Sequence, residues 1–101
     1  RKVLYIDLIK QEMKDAKKHH LDTLEQLENI ESPHLDGQVR SLQYSIRHAI
    51  LRPIERAEYI IEMIEQIGID ELPTFLLNDW MEELTNIKNL SGGYDNEGDH
   101  S

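Results

Sequence analysis

Between Val39 and Ile67 the apolar residues return every three or four positions, and no other feature constrains the fold as much. Val39, Leu42, Ile46, Ala49, Pro53, Ala57, Ile60, Ile64 and Ile67 form a stripe with the helical period. Ile50, Ile54 and Ile61 widen it to an arc of roughly 140° at about 100° per residue. A seam between two helices needs less, so this helix has to be covered from more than one direction.

The same period runs through the first part of the chain. Ile6, Ile9, Met13, Ala16, His20, Leu24 and Leu27 recur at steps of three and four, which predicts a helix over residues 3–30. It ends at Glu31-Ser32-Pro33-His34-Leu35-Asp36-Gly37, because Pro33 has no N–H to donate and pushes Ser32 out of helical geometry. Asp36 is placed to cap a second helix over residues 37–67. Pro53 falls inside that helix. The apolar pattern resumes on the same face after one shifted step, which favours a kink over a break. Gly68 then supplies a C-terminal stop, and Asp70 with Pro73 the start of a third helix over residues 71–90. Leu76, Leu77, Trp80, Leu84 and Ile87 give that helix one apolar face. After Gly92-Gly93, residues 91–101 read as a flexible acidic tail.

These lengths bear on assembly. The first two helices would each reach roughly 40–45 Å at about 1.5 Å per residue, and the third only about 27 Å. A short turn at Pro33 makes the long pair antiparallel. The expected architecture is therefore all-α, a single domain over residues 1–90: a long antiparallel helical hairpin plus a shorter third helix. The third helix cannot reach the turn-side half, so the hairpin is expected to be completed by dimerisation into a helical bundle. Ile46, Ile50 and Ile54, with the outward-pointing Tyr44, Leu51, Tyr59 and Met63, are the candidate partner or dimer contacts.

Charge is divided unevenly. Residues 1–61 are neutral, and the whole net charge of −9 comes from residues 62–101, where ten of the twenty acids face Lys88 alone. Such a surface repels nucleic acid and suits a basic protein partner. There is no cysteine, hence no disulfide framework, no thiolate metal site and no cysteine nucleophile. No apolar run approaches the roughly 18 residues of a membrane span. A cytoplasmic protein with no membrane contact fits these observations.

Chemistry-bearing constellations are few. Glu62 and Glu65 on the second helix and Asp79 and Glu82 on the third have the spacing with which two helices hold Mg²⁺ for phosphoester hydrolysis. Glu62 and Glu65 point outward, however, and Glu82 lies opposite Trp80. No glutamate stands three residues before the helical histidines His19, His20 and His48, while Glu31–His34 and Glu97–His100 fall in the turn and the tail, which weighs against a paired carboxylate–histidine metal site. His20, alone among them, falls inside an apolar stripe and reads as a core-boundary histidine. Arg40 and Arg47 flank one side of the second helix and Arg52 and Arg56 the other, so they form no single basic patch. Lys10, Lys14, Lys17 and Lys18 are interleaved with Glu12 and Asp15, a mixed surface and not a membrane-binding face.

The reading that follows is a non-enzymatic, self-associating interaction module, an adaptor, regulator or inhibitor, with a protein partner, no cofactor and no direct nucleic-acid contact. Two alternatives stand beside it. One is a Mg²⁺-dependent all-α nucleotide pyrophosphatase-like hydrolase using Glu62, Glu65, Asp79 and Glu82. The other is an acidic nucleic-acid mimic presenting Asp79, Glu82, Glu83 and the tail to a basic protein.

Overall fold

The computed structural model describes the backbone of residues 2–100 and the side chains of residues 4–90. Among them there is helix throughout and no strand. α1 spans Lys2–Glu28, and a 3₁₀ turn, Pro33–Leu35, leads into α2, Asp36–Ser45. A π-helical turn, Ile46–Leu51, joins α2 to α3, Arg52–Ile67. α4 spans Thr74–His100. The stop expected at Gly92-Gly93 is corrected, since the helix continues through both glycines to His100, while the side chains of residues 91–101 lie outside those described. No helix among the described residues is long and apolar enough to cross a membrane.

α1 closes where the sequence turns polar. Its last turn tightens, with the N–H of Asn29 donating to the Gln26 carbonyl at 3.2 Å and that of Ile30 to Leu27 at 3.3 Å. Two capping expectations are corrected. Asp36 is already helical, at φ −52° and ψ −44°, because the 3₁₀ turn seeded by Pro33 starts the coil before it. Asp70 lies in the turn after α3, and α4 begins four residues later, with the Leu77 N–H bound to the Pro73 carbonyl at 3.0 Å. Gly68 does end α3. Its φ of 97° is open to glycine alone, and its N–H reaches the Ile64 carbonyl at 2.9 Å.

Pro53 neither breaks the helix nor leaves it regular. An α-helical bond would bring the proline ring against the carbonyl four residues back, at Ala49. Instead the chain widens just upstream, and the Arg52 N–H donates to the Arg47 carbonyl, five residues back. One extra residue is absorbed, so side chains five apart now share a face. Ile46 and Leu51 are both buried, whereas Ala49 is exposed. That reverses the sequence expectation for two residues: Leu51, placed on the outward flank, is inside, and Ala49, placed in the stripe, is outside.

The core is a single cluster. α1 contributes Ile6, Ile9, Met13 and Leu24, α3 contributes Ile54, Ala57, Ile60, Ile61 and Ile64, and α4 contributes Leu77, Leu84 and Ile87. Ile9, Ile54, Ala57, Ile60 and Leu84 have no exposed surface. The molecule measures 54 × 32 × 18 Å along its principal axes, so its thinnest direction holds about two helices of 10 Å diameter.

Candidate interaction surface

α1 and α3 are tied by ion pairs that fix their relative direction. Lys10 Nζ donates to Glu65 Oε2 at 2.8 Å and Lys17 Nζ to Glu58 Oε1 at 3.0 Å. The α1 number rises as the α3 number falls, so the two run antiparallel. α4 packs against both from one side. It is held there by Tyr5 and Thr85, whose hydroxyls lie 2.8 Å apart, by Arg56 on Glu83 at 2.6 Å, and by Lys88 near Glu12 at 3.8 Å.

These exposed pairs orient helices more than they stabilise them. Water screens each of them. The hydrogen bond to Glu65, and then its charge, raise the pKa of Lys10 above its ordinary value. The Glu83 hydrogen bond does the same for Arg56.

The candidate contact residues separate into three groups. Ile46, Leu51 and Ile54 are buried within the chain's own core. Ile50 and Met63 are partly buried. Tyr44 and Tyr59 are exposed, at 65% and 51%. Each tyrosine has a neighbour: the His48 ring lies 4.1 Å from that of Tyr44, and the Arg56 guanidinium stands 5.6 Å above that of Tyr59. The broad arc is thus largely consumed inside the molecule, by α1 on one side and α4 on the other. Sequence spacing showed the width of that arc but not how much of it α4 would cover.

α2 is different. None of its residues is buried, and at this end of the molecule Leu21, Ile30, Leu42 and Tyr44 are all exposed. α4 packs on α1 and α3, while α2 rests on α1 and on the turns at its two ends.

The four carboxylates of the hydrolase reading are not assembled. Glu65 is engaged by Lys10, and Glu62, Asp79 and Glu82 are exposed. Among the described residues no group of three or more His, Asp or Glu side chains could hold a metal ion. Of the charges assigned to a nucleic-acid mimic, Glu83 is bound to Arg56, Asp79 and Glu82 are exposed, and the tail lies outside the described side chains. His20 is buried at 8% exposure, its ring edge-on to that of His19 at 5.1 Å. Burial, and secondarily the charge of His19, lower its pKa from the usual 6.5.

One feature was not anticipated. Between α1 and α3 lies an open groove of about 370 Å³. Met13 and Ile61 form its floor, Lys10 and Lys14 one wall, and Glu58, Glu62 and Glu65 the other. The lysines and glutamates are each visible in the sequence. Their opposition is not, because it depends on the register between two helices. No protein-family model, curated protein or solved structure matches the chain.

Proposed function

We propose that this chain is a non-enzymatic helical interaction module that works as a homodimer. In this reading α1 and the continuous α2–α3 helix form a long hairpin whose turn-side half meets a second copy. The observation that carries the reading is α2, a helix of ten residues with no buried side chain. It runs on through the π-turn into α3, yet none of its side chains belongs to the core. α2 rests on α1 and on the turns at its two ends, and its Leu42 and Tyr44 are exposed. Exposed apolar side chains on a helix with no core of its own support an interface there. A second copy supplies the missing layer without requiring any other protein, and closed two-fold pairs are the commonest soluble assemblies. The test is the oligomeric state of the full chain. A dimer supports the reading, and a monomer at every accessible concentration refutes it.

A further inference from the structure

We infer that the second copy docks across the α1–α3 groove, turned about a two-fold axis parallel to the groove. This deepens the proposed self-association by assigning it a face and an orientation. On α1, Lys10, Lys14, Lys17 and the exposed Leu21 follow one another at steps of four, three and four, so they form one ridge. On α3, Glu58, Glu62 and Glu65 form the facing ridge, at steps of four and three. The two ion pairs close the ends of the groove, Lys10 to Glu65 and Lys17 to Glu58. Between them stand Lys14 and Glu62, at nearly the same height on opposite walls. Both are exposed, and neither takes part in an ion pair among the described residues.

That arrangement is self-complementary. A rotation about an axis running along the groove lays the α1 of one copy over the α3 of the other, at equal height. Lys14 of each copy then meets Glu62 of its mate, twice by symmetry. Met13 and Ile61 beneath are already buried, so the contact is made by the ridges, the long lysine stems lying along them while the ammonium groups reach the opposing carboxylates. The other in-plane axis, running across the groove, would set the lysine ridge on the lysine ridge and the glutamates on the glutamates. Like charges brought together in this way oppose docking, so the charge pattern selects one of the two orientations. The same pose extends along the ridge to the exposed Leu21.

The experiment is sedimentation equilibrium on the full chain, comparing wild type with Lys14→Glu, Glu62→Lys and the double variant carrying both. Both positions are exposed, so the variants keep the fold, which circular dichroism checks. Each single change places like charges together at two symmetric contacts and raises the dimer Kd by roughly tenfold or more. The double variant restores opposite charges and returns the Kd to within about threefold of wild type. A dimer whose Kd ignores both single changes overturns this inference and leaves self-association standing. A monomeric wild type overturns both.

Discussion

The π-turn ahead of Pro53 exchanges the environments of two residues, and a pair of substitutions can detect that exchange. In an unbroken α-helix Ala49 would face the core and Leu51 the solvent. In the structure Leu51 is 9% exposed and Ala49 is on the surface. Leu51→Ala removes buried methyl groups. Such changes cost about 2–5 kcal/mol. Leu51 lies at the margin of the core, beside a thin two-helix layer that can close up, so the lower end applies: about 2.5 kcal/mol. Ala49→Lys adds a long side chain to an exposed site, and its cost stays within about 0.5 kcal/mol. Urea unfolding followed by circular dichroism measures both. With an m-value of about 1–1.5 kcal/mol/M, Leu51→Ala lowers the midpoint by about 2 M and Ala49→Lys by less than about 0.5 M. Because association contributes to apparent stability, all proteins are compared at one concentration. A costly Ala49→Lys beside a harmless Leu51→Ala would show that the helix runs through Pro53 without the extra residue.

Two further perturbations address other parts of the fold. Gly68→Ala forces a side chain into a backbone with φ near 97°, while the added Cβ meets nothing closer than Glu71 Cγ at 3.8 Å, so the cost is conformational. It should destabilise the protein by about 1–3 kcal/mol in urea unfolding, and a neutral result would contradict the strained cap. The depressed pKa of His20 means that the unfolded chain takes up its proton first as pH falls. The stability that neutral His20 contributes is complete above the unfolded value of 6.5 and declines below it until the folded pKa is passed. Relative to His20→Leu, wild type should therefore lose stability between about pH 7 and pH 5. A difference independent of pH across that range would show that His20 is not held neutral by burial.

Much of the helical layout was legible in the sequence because it rests on local periodicity. The α1 stripe from Ile6 to Leu27 is buried or partly buried residue for residue, and Gly68 stops α3 through a backbone angle that glycine alone favours. The single shifted step near Pro53 was also visible as a pattern. Its meaning was not, because a proline can be accommodated by a kink, a break or a π-turn, and the choice depends on which carbonyl moves out of the ring's way. The caps at Asp36 and Asp70 failed for a similar reason. Pro33 starts the coil ahead of Asp36, and at Asp70 the helix starts only after Pro73, three residues too late for the cap. The candidate surface was only partly legible. Tyr44 and Tyr59 are exposed, but Ile46, Leu51 and Ile54 serve the chain's own core. Their fate turned on how α1 and α4 pack over the second helix, which no helical wheel contains. The opposed ridges of Lys14 and Glu62 likewise required the register set by Lys10–Glu65 and Lys17–Glu58.

The proposed dimer closes the surface left open around α2 with a second copy of the chain. Sedimentation equilibrium of the wild-type protein, at loading concentrations from about 1 to 200 μM, tests it most directly, since dimers weaker than that contribute little at ordinary concentrations. The account predicts a monomer–dimer equilibrium whose limiting mass is twice that of the chain. A single species of monomer mass across the whole range would contradict it.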